Sequence, residues 1–267
     1  MDQPTRSTAS PPRPLVGSVV QAIAVLRHLG RLDRPEGVTA IAARLRLSPS
    51  SCFNILKTLA AEELATFDPQ TRAYSLGPGA IDLARAALGR DEVVRAARPA
   101  MDGIAEKYDV AVGLWRLGSG ERLTLTALSE SESATRIHLV IGQRQPAEAG
   151  ATGRAVLAAR GASDAAIRNA CAAVRWRQPP SPADYVAQVR AARAKGWALD
   201  ADQIIIGVTT VAAVIADREG QVRFSLSAST FTGREPPRRI EQIGEAICDA
   251  AQAIARSIYG IAAAPAA

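Results

Sequence analysis

The chain has 267 residues, 48% of them apolar, and a formal net charge of +6, which is long and apolar enough for two domains with real cores. Three widely spaced cysteines (Cys52, Cys171 and Cys248) with no CxxC pair exclude a disulfide framework and a cysteine zinc site, and suit a reducing cytoplasm. The longest apolar run, residues 208–216, is about half a bilayer span, so a soluble cytoplasmic protein with no membrane partner is expected.

Residues 1–14 are rich in Pro, Ser and Thr, lack an apolar signal core, and read as a disordered arm. From 15 to about 31, Val19, Val20, Ile23, Leu26 and Leu29 recur at helical spacing. After DRPEG, Thr39 is a candidate cap for a second helix with Ile41, Ala42 and Leu45 on one stripe. RLRLSPS makes a tight connection to a third helix from Pro49 to about Glu62, with Ser48 as N-cap and Pro49 at the first helical position. Strand-like segments 64–67 and 73–76 flank DPQT, where Pro69 favours a type I turn. Helix, helix, tight turn, helix, hairpin is the order of a winged helix-turn-helix over residues 15–77. An amphipathic connector (Ile81, Leu83, Ala84, Ala87, Leu88) occupies 78–90. Beyond it, residues 91–260 alternate helices (to about 107, then 153–160, 163–174, 182–195 and 237–259) with strands (110–117, 123–128, 137–141, 207–215 and 222–229). That pattern predicts one α+β domain, followed by a tail at 261–267.

Charge supports a nucleic-acid partner for the first part. Residues 1–90 carry 11 Lys/Arg against 7 Asp/Glu, the rest 21 against 19. On the third helix Cys52, Ile55, Leu56 and Leu59 share one face. The other face holds Ser50, Ser51, Phe53, Asn54, Lys57 and Thr58, with no acid before Glu62. Hydroxyls and free N–H groups at a helix N-terminus suit phosphate. Asn54 suits an adenine edge, Lys57 a guanine or phosphate, and Phe53 a thymine methyl. Arg72 and Gln70 stand at the hairpin tip, and Arg44 and Arg46 flank the turn as further phosphate-reaching charge. The competing reading is a three-helix protein-interaction module with a merely solvated polar face; the basic wing argues against it. One such unit makes too few contacts for genomic selectivity, so a homodimer or homotetramer on double-stranded DNA with paired half-sites is expected, with the connector helix as part of its interface.

Over about residues 16–259 the sequence resembles the IclR family of bacterial transcriptional regulators. The resemblance is carried by LRLSPSSCFNILKTL around the third helix, RAYSLGP (72–78) closing the wing, and ATGRA (151–155) where the family has S/T-G-K-A. It continues in GWALD (196–200) leading to GVTT (207–210), and in Ser227–Ala228–Ser229. Asn54 stands where the family usually has arginine, Thr210 where cysteine is frequent, and Arg154 where lysine is usual. The resemblance implies an effector domain of GAF/profilin-like type with an antiparallel sheet flanked by helices. It implies a small, often carboxylate-bearing effector, held among Ala151, Thr152, Gly153, Asp200, Thr210, Ser227 and Ser229.

The residues themselves permit this reading without requiring it. The stretch before a helix at 153 offers backbone N–H groups to an anion. Ser225, Ser227 and Ser229 alternate onto one sheet face, which is either solvent-exposed or the lining of a polar cavity. Asp200 is either a turn residue or a ligand acceptor, and as an acid in the pocket it disfavours a bare dicarboxylate. Trp115, Trp176 and Trp197 read as core, with Trp115 able to line a pocket. His28 reads as a surface or phosphate contact, and His138 as a half-buried residue of an apolar strand. No nucleophile elbow, phosphate loop or metal-spaced cluster is present, so neither catalysis nor a cofactor is expected. The alternatives are an enzyme, or a ligand-binding module, that uses the helix-turn-helix only for assembly.

Overall fold

The computed structural model describes residues 15–83, 92–118, 120–131 and 137–260. The arm at 1–14, the tail from 261 and the connector helix beyond 83 lie outside them. Contacts divide the chain into Met1–Ala87 and Leu88–Ala267.

The first unit contains α1 (Gly17–Leu29), β1 (Glu36–Gly37), α2 (Val38–Leu45), α3 (Pro49–Ala61), β2 (Ala65–Asp68) and β3 (Ala73–Leu76). The strands form an antiparallel sheet in the order β1-β3-β2. Val25, Ile41, Cys52, Leu56, Leu59 and Tyr74 make its core. The apolar periodicity of α1 divides into two faces. Val25 and Leu29 are buried, while Val16, Val19, Val20 and Ile23 are exposed. The N-cap of α2 is Gly37 rather than Thr39, because the two-residue strand β1 runs straight into the helix. Arg46, in the left-handed region at φ 54°, closes α2 and turns the chain towards α3. The wing reverses over residues 69–72, and the Asp68 carboxylate organises it. One oxygen accepts from the Gln70 N–H at 2.9 Å and the other from the Thr71 hydroxyl at 2.6 Å, with Arg72 left-handed at φ 53°.

The second unit runs α4 (Glu92–Tyr108), β4 (Ala111–Gly118), β5 (Arg122–Ser129), β6 (Arg144–Pro146), α5 (Gly150–Ala159), α6 (Asp164–Ala173) and α7 (Pro182–Lys195). It continues β7 (Ala198–Ala201), β8 (Val208–Ala216), β9 (Val222–Phe231) and α8 (Pro237–Tyr259). Its six strands form one antiparallel sheet in the order β6-β5-β4-β9-β8-β7. Helices α4 and α8 cover one face over Met101, Val112, Leu114, Leu226 and Ile247. On the other face α5, α6 and α7 pack through Leu157, Ile167, Tyr185 and Val189.

Strand alternation sorts β9 accordingly. Phe224, Leu226 and Ala228 join the α4/α8 core, which turns Ser225, Ser227 and Ser229 to the opposite face. The expected strand at 137–141 is not a strand. The edge is β6, pairing Leu123 with Gln145, and residues 137–140 are irregular. Ile137 and Leu139 owe their alternating apolar pattern to lining a cavity rather than to sheet pairing. His138 is accordingly exposed in a loop, not half-buried in a strand. The short strands β1 and β7 escaped sequence reading because partners, not β-rich composition, make them strands. Among the described residues no helix is long and apolar enough to cross a membrane.

Candidate functional site

The N-terminal unit presents α3. Ser48 caps it, accepting from the Ser51 N–H at 3.1 Å, with Pro49 in the first turn. Cys52, Leu56 and Leu59 anchor it in the core, and this fixes the opposite face outwards. Ser50, Ser51, Asn54, Lys57 and Thr58 are all exposed, and Phe53 is 48% exposed, an aromatic facing water. The serine hydroxyls form a chain, with Ser48 donating to Ser51 at 2.8 Å and meeting Ser50 at 3.1 Å. The Thr58 hydroxyl donates to the Asn54 carbonyl at 2.9 Å, so its proton is committed to the helix and only its acceptor lone pair faces outwards.

Arg72 is exposed at the wing tip. Arg44 is not free charge. Its Nε donates to Glu36 at 2.9 Å, while the other Glu36 oxygen meets His28 Nε2 at 2.6 Å. These partners hold the Glu36 carboxyl below its usual range, His28 first and Arg44 second, against the opposing effect of burial. His28 therefore braces α1 to β1 instead of standing free on the surface.

In the C-terminal unit a cavity of about 530 Å³ of empty space, counting its open mouth, lies on the serine-bearing face of the sheet. Ala151, Thr152, Asp200, Thr210, Ser227 and Ser229 all line it. The serines are buried, which decides for a cavity over a solvated face. Trp115 also lines it and donates its indole N–H to the Ser227 hydroxyl at 2.9 Å, and Thr210 and Ser229 hydroxyls meet at 3.0 Å. Gly113 leaves the space they need, since a Cβ there would stand 3.0 Å from the Trp115 indole nitrogen. Ser225, although on the same face, donates to the Ala213 carbonyl at 2.9 Å.

Gly153 does not line the cavity. Helix α5 begins at Gly150, not at 153, so Gly153 lies inside it and its N–H is spent on the Ala149 carbonyl at 2.9 Å. Among the described residues, the N–H groups left without an intrahelical carbonyl are those of the three positions just before Gly153, namely Gly150, Ala151 and Thr152, and the methyl side chain of N-cap Ala149 cannot accept from them. Gly153 serves packing instead, as a Cβ on it would fall 2.0 Å from the Glu148 carbonyl carbon.

Sequence reading missed the walls supplied by irregular segments, Ile137, Leu139, Gln143, Ile204 and Ile205. It also missed what Asp200 faces. Arg154, 1% exposed, donates to Asp200 at 3.0 Å and to Gln188 at 2.8 Å, and also to Gln203. Its guanidinium lies over Tyr185 and Trp176, 4.8 and 5.4 Å from the ring centroids. The second Asp200 oxygen accepts from the Ile204 N–H at 3.3 Å. Burial pushes the Asp200 carboxyl up and Arg154 pulls it back. The substitution of arginine for lysine was visible in ATGRA, but nothing in the sequence said what it would touch.

The family profile described as Bacterial transcriptional regulator IclR C-terminal matches residues 85–256, and that of the IclR helix-turn-helix domain residues 18–69. The HTH-type transcriptional regulator BhcR of Paracoccus denitrificans is 29% identical over 220 residues, 80% of this chain and 78% of the relative. The crystal structure of an IclR transcriptional regulator from Alicyclobacillus acidocaldarius superposes with a TM-score of 0.80 at 26% identity, covering 91% of this chain and 98% of that one. An IclR homologue from Microbacterium hydrocarbonoxydans, solved with 4-hydroxybenzoate, shares the fold at TM-score 0.73 and 17% identity, over 92% of this chain and 100% of the other.

Proposed function

Since the chain belongs to the IclR family of bacterial transcriptional regulators, with a helix-turn-helix that binds DNA and a C-terminal domain that binds small metabolites, we propose that α3 reads base edges through Asn54 and Lys57. Ser50, Ser51, Phe53, Thr58 and Arg72 contact backbone or groove wall around them. The observation that carries this is an outward face with five polar side chains, one exposed aromatic and no acid. A solvated helix face would mix both charges. Asn54→Ala should weaken specific binding by about 1–3 kcal/mol, the worth of a bidentate base contact, and relax selectivity at one adenine, without changing the melting temperature. Gel shifts on the chain's own upstream DNA measure this, and unchanged affinity and selectivity would remove Asn54 from the reading head. Membership of a regulator family disfavours the readings as an enzyme or as an assembly-only module.

The effector is a small, polar, carboxylate-bearing metabolite, held in the cavity above β8 and β9. Its anionic end rests on the N–H groups of Gly150, Ala151 and Thr152, and the hydroxyls of Thr210, Ser227 and Ser229 orient the rest. The 4-hydroxybenzoate of the Microbacterium hydrocarbonoxydans homologue has this chemistry. Binding DNA as a dimer on paired half-sites needs a self-complementary surface, and the exposed apolar face of α1 supplies a candidate. Light scattering should give twice the chain mass for the parent. Val19→Glu combined with Ile23→Glu should give one chain mass and a lower DNA affinity. A doubly substituted protein that stays dimeric would place the interface elsewhere. Such a regulator works in the cytoplasm, where its DNA is.

A further inference from the structure

We propose that Arg154, which does not line the effector cavity, sets its charge selectivity by cancelling Asp200, so that an acid in the wall coexists with an anionic ligand. The inference rests on the reading of this cavity as the effector site.

The conflict it resolves is geometric. Asp200 lines the cavity and stands beside the start of α5, where a Cβ placed on Gly150 would lie 4.0 Å from its carboxyl carbon. The uncapped N–H groups of Gly150, Ala151 and Thr152 are at that same place. Thr152, 3% exposed, lines the cavity beside them. Among the described residues lining the cavity none is cationic. Left alone, the Asp200 carboxylate would take the positive end of α5 for itself and repel a second anion.

Arg154 removes that obstacle from behind. Its guanidinium reaches Asp200 through one nitrogen, and its other two nitrogens hold Gln188 of α7 and Gln203 of the following loop. Tyr185 and Trp176 stack on it and exclude water that would screen the pair. Each of its three nitrogens is thus engaged, Arg154 itself does not line the cavity, and what the ligand meets is a neutral pair beside the helix-end dipoles. Arg154 is a positioning residue for charge, not a ligand contact.

The test is the ratio of affinities for a carboxylate and its matched carboxamide. Calorimetric titration of the full chain would use benzoate with benzamide, 4-hydroxybenzoate with 4-hydroxybenzamide, and pyruvate with pyruvamide. The parent should prefer the acid. Arg154→Met should cut the acid-to-amide ratio on the order of tenfold or more, the scale of one uncancelled charge in a partly shielded site. Asp200→Asn, which keeps an acceptor for the Ile204 N–H, should raise the ratio. The double variant should return towards the parent value. A merely structural role would weaken acid and amide alike and could not produce shifts of opposite sign. If Arg154→Met does not fold, Asp200→Asn and the double variant carry the comparison. Equal ratios in the parent and every folded variant would overturn the proposal and leave the cavity assignment standing. A parent that binds none of the six probes would overturn both.

Discussion

Gly153→Ala should destabilise the C-terminal unit by about 3 kcal/mol or more, while Gly103→Ala should stabilise it by up to ~1 kcal/mol. Both glycines lie inside helices, α5 and α4, and helix propensity favours alanine at either place to the same extent. Space decides the sign. A Cβ on Gly153 would stand 2.0 and 2.1 Å from the Glu148 carbonyl carbon and oxygen, whereas Gly103 has nothing within 4 Å. Backbone atoms cannot rotate out of the way as a side chain can, so the overlap outweighs the propensity gain. Relief would displace Glu148, whose carbonyl also accepts the Tyr185 hydroxyl at 2.7 Å, and with it the start of α5. Effector binding should therefore be lost along with stability. All three tryptophans (Trp115, Trp176 and Trp197) belong to this unit, so denaturant unfolding followed by tryptophan fluorescence reads it alone. A Gly153→Ala midpoint equal to the parent's would refute the close approach.

Arg154→Met should cost roughly 3–5 kcal/mol near neutral pH, the usual penalty for stranding one member of a buried ion pair. The cost lies mainly in the Asp200 charge left behind, so Arg154→Met with Asp200→Asn should recover most of it. A pH dependence follows. Burial already pushes the Asp200 carboxyl up, and Arg154 is the main opposing influence. Without Arg154 the folded-state value rises further above the unfolded one. A carboxyl raised in this way lends its full stability below the unfolded value and loses it as pH rises through the folded value. The deficit of Arg154→Met should accordingly shrink as pH falls towards the ordinary carboxylate range and grow above it. A deficit independent of pH, or a double variant no more stable than the single, would show that the arginine's packing on Tyr185 and Trp176 matters more than its charge.

The order of elements in the first unit is legible in sequence because each is specified locally. The 3.6-residue stripe of α3, the Ser48 cap and the turn residues of the wing act within a few positions of themselves. The outward face of α3 follows from the same stripe, since burying Cys52, Leu56 and Leu59 leaves Asn54 and Lys57 nowhere to go but outwards. Alternation along β9 likewise places Ser227 and Ser229 on one face. Alternation does not say whether that face meets water or a cavity, and the helices packed on either side of it decide the point.

What sequence could not determine was everything that depends on contacts distant along the chain. The loop at 137–141 imitates a strand because cavity walls and sheets both select alternating apolar residues. Thr39 looks like a cap until β1 pairs with β3 and starts α2 earlier. Gly153 belongs to a recognisable motif, yet it is the close approach of the Glu148 backbone, not a place in the cavity wall, that requires glycine there. Asp200 and Arg154 are 46 positions apart, and taken singly each is an ordinary charged residue. Only the packing of α5 against β7 in a water-excluding shell makes them one neutral unit, because the strength of a charge–charge interaction depends on distance and surrounding dielectric, and sequence specifies neither.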